Sequence, residues 1–280
     1  MKFNGAANAA GSLPPCGGGV GRGVVPDSES ASAVTPLPVP PPQGGRGPRG
    51  QASISLSAFL AGMIALLMPS PAQAQMPAGF VDAATVVEGL VVDMHYFGTD
   101  NFVGARIDGY EAARCLLARP AAAALARVQQ DLAPQGLGLK VFDCYRPARA
   151  VMHFVRWARD LRDTRRKADF YPDVDKRDLF RLGYIASRSG HSRGATVDLT
   201  LARRGEGQAP AELDMGTRFD FFGTQSWPSS RKVGEEAQAN RRLLAAAMGK
   251  RGFRPYEKEW WHFTLRGEPY PGSYFDFPVR

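Results

Sequence analysis

Between Thr196 and Leu201, the apolar Val197, Leu199 and Leu201 alternate with Thr196, Asp198 and Thr200. A period of two predicts a strand with one face in a core and Asp198 on the other. The aromatic run "EWWHF", residues 259–263, alternates in the same way and predicts a second core strand, while "LGLKVFDCY" at 137–145 predicts a third. The β-branched stretch 86–97, "VVEGLVVDMHYF", is expected to be extended. Period 3.6 appears after Pro120, where Leu125, Val128 and Leu132 share one side of a helix. A second helix is expected over 147–167, with Arg156, Arg159, Arg162 and Arg166 forming a solvated cationic face. A third is expected over 235–253, ending at Gly252 with Phe253 as the hydrophobic contact of its cap. Helices and strands alternate without βαβ regularity or internal repeat. The expected fold is therefore α+β, one compact domain with a mixed or antiparallel sheet flanked by helices.

Composition changes this picture only at the beginning of the chain. Glycine and proline crowd residues 1–50, which contain almost no aromatic side chains and are expected to be a disordered extension or the product of a start placed too far upstream. Residues 51–74 carry the apolar run "ISLSAFLAGMIALLM" after Arg46 and Arg49, and end in the small-x-small triplet Ala72, Gln73, Ala74. That order predicts a signal peptide cleaved after Ala74, with a buried helix or an uncleaved anchor as the alternatives. The domain would then run over 75–280, exported and periplasmic, with no stable membrane span after cleavage. Its 31 Lys and Arg against 25 Asp and Glu suit anionic wall or membrane surfaces, and export excludes nucleic acid as the ordinary partner. Cys115 and Cys144 form an even pair in an oxidising compartment and are expected to be bridged, closing a loop worth roughly 3.5 kcal/mol, two buried thiols being the alternative.

A carboxylate on a strand is costly if buried unpaired and should have a cation, a metal or water beside it. His191 lies seven residues before Asp198, and His262 lies on the second strand. Two histidines and one carboxylate make a three-ligand zinc set with a position open for water, which is the pattern of a catalytic site, expected in a cleft on the sheet. Glu259, three residues before His262, can reach the same cavity as a general base if the backbone bulges there. Arg146, between a strand and a helix, is suited to stabilise an oxyanion. Trp260 and Trp261 divide between core and pocket wall.

The ordered set "YFGTDNFVG", "DCYRPARAV", "SGHSRGATVDLTL", "MGTRFDFF", "EWWHF" and "EPYPGSYFDFPV" resembles the zinc D-alanyl-D-alanine dipeptidases of the VanX type, from about Val86 to Arg280. The resemblance implies one zinc ion per chain on His191, Asp198 and His262, Glu259 as general base and acid, and Arg146 as the oxyanion's partner. It implies further that Tyr96, Ser189 and Asp220 line the substrate site, with Asp220 near the free amine of D-Ala-D-Ala, and Trp260 is grouped with them as a wall against longer acyl chains. His95 and His153 match no ligand and are expected to be structural. The implied activity is hydrolysis of D-Ala-D-Ala, outside the cytoplasm a matter of scavenging and peptidoglycan metabolism. The alternatives are a D,D-carboxypeptidase or other wall peptidase of the same superfamily, and a wall-binding protein without catalysis.

Overall fold

A computed structural model describes residues 75–204 and 211–280. The extension and signal peptide expected over 1–74 lie outside the described residues. The strands are β1 (Phe80–Asp82), β2 (Val91–Val92), β3 (Leu116–Ala118), β4 (Leu137–Asp143), β5 (Thr196–Arg203), β6 (Ala211–Glu212), β7 (Phe253–Tyr256) and β8 (Glu259–Leu265); the helices are α1 (Arg119–Leu132), α2 (Ala148–Arg159), α3 (Lys167–Phe170) and α4 (Glu235–Lys250). Strands β2-β4-β5-β8-β7 form one sheet in that order, with β6 added to β5, and β1 pairs with β3 separately. The β2–β4 pair is parallel and the others are antiparallel, so the sheet is mixed and the fold is α+β, as the periodicity predicts.

Helices α1 and α4 pack against each other and against the sheet. Leu125, Val128, Leu132, Leu244 and Met248 join Leu139, Val141, Val197, Leu199 and Leu201 in one core. By strand alternation Thr196, Asp198 and Thr200 take the other face, and all three are buried there. Both faces of β5 are therefore covered. Cys115 and Cys144 are bridged across 29 residues, with Cα atoms 5.2 Å apart. The bridge ties the start of β3 to the segment that carries Arg146.

Two elements depart from the period-based expectation. Within 86–97 only Val91 and Val92 pair as strand, because Gly89 (φ +70°) turns the chain before them and a buried Asn101 shapes it afterwards. Asn101 donates to the carbonyls of His95, Gly98 and Ala105 and accepts from the Val103 and Gly104 amides. That one side chain satisfies the backbone of the loop presenting Tyr96. The helix expected over 147–167 stops at Arg159. Asp160 leaves the helical region (ψ 89°) and accepts the Arg162 amide, while Lys176 Nζ donates to the Asp160 and Asp163 carbonyls. The expected arginine face is accordingly broken up: Arg162 is fully in solvent, whereas Arg166 folds inward to pair with Asp100. Pro147 is the N-cap of α2. The C-terminal helix ends as expected, α4 giving way at Arg251 to Gly252 (φ +90°) and the buried Phe253.

Candidate active site

Pairing across the sheet sets the site. Asp143, the last residue of β4, lies opposite Asp198 on β5, and Asp198 lies opposite His262 on β8. Three chemically active residues from distant parts of the sequence thus form a row across neighbouring strands. His191 reaches the same point from the short 3-10 turn Gly190–Arg193, whose N-cap is Ser189, its Oγ accepting the His191 amide. Gly194, at φ +78°, turns this segment into β5. A Cβ there would sit 2.2 Å from the Phe80 ring, so the position requires glycine twice over.

One nitrogen from each histidine and one carboxylate oxygen of Asp198 lie within 4.8 Å of one another. His191 Nε2 is 3.1 Å from Asp198 Oδ2, and His262 Nδ1 is 3.0 Å from Asp198 Oδ1 and 3.3 Å from His191 Nε2. Two features show that this set fits a metal. His191 Nδ1 donates to the Cys144 carbonyl at 2.6 Å, which leaves the Nε2 lone pair facing inward. Asp198 Oδ1 is buried with no hydrogen-bond partner among the described residues, and His262 Nδ1 lies 3.0 Å from it. An orphaned carboxylate oxygen facing two ring nitrogens is a cost that a cation removes. Although burial disfavours its charge, the two rings hold the Asp198 carboxyl well below the usual carboxylate range.

Around this set lies a cavity of about 300 Å³. Glu259 enters it at the hairpin end of β8, with Oε2 3.5 Å from His262 Nδ1. The β7–β8 register slips between Pro255 and Tyr256, which is the irregularity needed for residues three apart to face one cavity. Burial pushes the Glu259 carboxyl up to about 7, with the Asp198 charge adding to the rise and the His262 ring opposing it. Such a group can both take and return a proton near neutrality.

Arg146 is held by Asp143 Oδ2, to which Nε donates at 2.8 Å and from which Nη2 also lies 2.8 Å, and its Nη2 lies 3.5 Å from Asp198 Oδ2. Its guanidinium also lies over the rings of Tyr96 and Phe154, at 5.0 and 5.1 Å. Asp143 in turn accepts from Tyr110 Oη at 2.5 Å. Sequence reasoning missed Asp143 and Tyr110. The available signal was an acid three residues before Arg146 at the end of an apolar strand, where a buried charge demands partners.

Asp220 opens on the same cavity with φ +61°, the one non-glycine residue with positive φ among the described residues. Tyr96 Oη donates to it at 2.8 Å. Burial, reinforced by the Asp198 charge, raises the Asp220 carboxyl well above its ordinary value. A cationic group arriving beside it would supply the missing counter-charge. Ser189 lines the cavity while capping the His191 turn. Trp260 does not line it, contrary to expectation. Its indole is buried and donates to Thr217 Oγ1 at 2.8 Å, since the face of β8 it occupies looks away from the cavity. Phe102, Phe154, Tyr184 and Phe222 supply the aromatic wall instead. His95 and His153 lie outside the cluster, bonded to the Asp100 carbonyl and paired with Asp108.

Two imidazoles and a carboxylate converging in one cavity, with a second carboxylate and a fixed arginine beside them, define the centre of a metal-dependent hydrolase. The model of the D-ala-D-ala dipeptidase family matches residues 76–280. Curated D-alanyl-D-alanine dipeptidases align over the same part of the chain. That of Enterococcus faecium is 41% identical over 73% of this chain and 100% of its own length. That of Streptomyces coelicolor is 44% identical over 71% and 96%, and that of Escherichia coli 36% over 69% and 86%. A solved LD-carboxypeptidase aligns at TM-score 0.33 and 18% identity, over 70% of this chain and 71% of its own. This chain belongs to the D-Ala-D-Ala dipeptidase family and is a metallopeptidase.

Proposed function

We propose that this protein hydrolyses free D-alanyl-D-alanine to two molecules of D-alanine, with one zinc ion held by His191, Asp198 and His262. The observation that carries the reading is the convergence of those three residues with Glu259 and Arg146 on one small cavity, in a chain whose relatives bear that name. Zinc held by these three residues would supply Lewis acidity to a water and to the scissile carbonyl. Glu259 accepts a proton from the attacking water and delivers it to the leaving amine, a double duty suited to a carboxyl held at about 7 by burial. Arg146, locked by Asp143, offers its guanidinium where negative charge develops on the carbonyl oxygen, and being fixed in advance it costs no reorganisation during reaction. Asp220 receives the ammonium of the dipeptide, which cancels a charge that is otherwise unfavourable in its buried position. Tyr96 holds that carboxylate in place, and the aromatic wall excludes a longer acyl chain.

The proposed setting is extracytoplasmic, after cleavage behind Ala74, with scavenging of wall-derived dipeptide as the use. The signal-like order of residues 46–74 and the Cys115–Cys144 bridge support it. Intact mass of the protein purified from its native envelope should place the first residue at Gln75, and retention of residues 54–74 would overturn cleavage behind Ala74 and favour an uncleaved anchor.

Substrate length is the decisive test of the reaction. Release of D-alanine should be efficient from D-Ala-D-Ala and about a hundredfold or more lower from the N-acetylated dipeptide, in which Asp220 loses its ion partner. A pentapeptide stem should be equally poor. Comparable kcat/KM on the pentapeptide would reject the dipeptidase reading in favour of a carboxypeptidase.

A further inference from the structure

A free dipeptide carries two charges, and the site described so far answers only its ammonium. Two arginines line the catalytic cavity, Arg146 and Arg188. The guanidinium of Arg146 is already committed to Asp143 and Asp198. Arg188 has no carboxylate within ion-pair distance among the described residues; its guanidinium lies 5.3 Å from the centre of the Tyr274 ring. Arg193, over the same ring at 5.7 Å, is neutralised by Glu268 through bonds of 2.6 and 2.8 Å. Arg188 is solvent-exposed, and it is the arginine of the cavity that no carboxylate among the described residues pairs.

Its position adds a second observation. Arg188 and Val151 line both the catalytic cavity and a neighbouring one of about 340 Å³, which Met152 and Tyr274 help to form. Stacked on Tyr274, the Arg188 side chain stands at the junction of the two spaces, so it also limits how far a ligand can extend. We infer that Arg188 is the specificity residue that binds the C-terminal carboxylate of the substrate and closes the catalytic cavity at that end. Opposite charges, Asp220 and Arg188, then receive the two ends of the zwitterion. Arginine suits the role because its planar fork pairs with a carboxylate through two parallel bonds, and the aromatic ring beneath keeps it oriented.

The inference rests on the dipeptidase reading and is tested separately from it. Wild-type hydrolysis of D-Ala-D-Ala tests that reading alone. The anchor is tested by comparing D-Ala-D-Ala with its C-terminal amide in the wild type, Arg188→Ala and Arg188→Lys. The wild type should prefer the free acid by about tenfold to a hundredfold, the worth of one charge-assisted pair. Arg188→Ala should lose most of that preference, through a rise in KM for the acid larger than any fall in kcat, and should accept D-Ala-D-Ala-D-Ala relatively better because the two cavities now communicate. Arg188→Lys should retain part of the preference. Calorimetric binding of acid and amide to Glu259→Gln, with and without Arg188→Ala, reads the same ratio without turnover. An unchanged acid-to-amide ratio in Arg188→Ala, by rate or by binding, would overturn the assignment, as would an effect confined to kcat.

Discussion

Asp143 touches none of the proposed ligand atoms of the metal set, yet replacing it with asparagine should disable the enzyme. In the wild type one of its oxygens accepts Nε–H of Arg146 and pairs with Nη2 at 2.8 Å, and the other takes the Tyr110 hydroxyl. Both Asp143 and Arg146 are shielded from water, with side-chain exposures of 0% and 13%. Stranding one member of a buried pair costs about 3–5 kcal/mol. Asparagine keeps one acceptor oxygen, and Asp198 remains 3.5 Å from the guanidinium, so a loss of about 2–4 kcal/mol is expected. In a folded domain of roughly 200 residues, where each kcal/mol moves Tm by about 2–4 °C, this corresponds to about 5–15 °C. A guanidinium no longer fixed is a poorer partner for a developing oxyanion. Complete loss of such a donor costs about 10²–10³ in kcat, so partial release should cost about tenfold to a hundredfold, with KM changed far less. Zinc content should stay near one per chain, because the Cys144 carbonyl continues to orient His191. The assay is thermal denaturation alongside kcat, KM and metal content for Asp143→Asn and Asp143→Glu, with the glutamate variant recovering part of the rate. If Asp143→Asn lost stability but kept wild-type kcat, the positioning role would be refuted and Asp143 would be a fold residue only.

Other outcomes follow from the same geometry. Glu259→Gln and Glu259→Ala should retain zinc and lose most turnover, whereas His191→Ala, Asp198→Ala and His262→Ala should lose the metal; equal zinc loss in the Glu259 variants would remove its assignment as proton carrier. Replacing Cys115 and Cys144 together should cost roughly 3.5 kcal/mol in denaturant titrations, from the 29-residue separation they span, and equal stability of the reduced and oxidised wild type would contradict this. Hydrogen bonds from Arg251, assisted by Lys250, hold the Asp131 carboxyl down at about 2. A depressed carboxyl stabilises the fold above its unfolded value of about 3.9, and that contribution is lost as pH falls through the folded value. Asp131→Asn should therefore lower Tm at pH 7, and the difference from wild type should shrink from about pH 4 downward and vanish only below about pH 2.

Periodicity in the sequence determined a good deal of this protein. It assigned β5 and the face on which Asp198 stands, the apolar stripe of α1, the cap at Gly252 and the α+β class, because each depends on residues within one or two turns or a few strand positions of one another. The ligand types were also readable, since His191, Asp198 and His262 are scarce polar residues in otherwise apolar runs. Tertiary structure decided the rest. Whether Asp143, Asp198 and His262 stand in one row is a question of register between strands more than fifty residues apart, and no local pattern encodes it. The two tryptophans of β8 look equivalent in sequence, and Trp260 turned away from the cavity because the hairpin slips its register beside them. The segment 86–97 gave up most of its strand propensity to a loop whose carbonyls a buried Asn101 could satisfy. Propensity is worth tenths of a kcal/mol per residue, and a buried polar group left unpaired costs more, so the pairing of buried polar groups prevailed where the two conflicted.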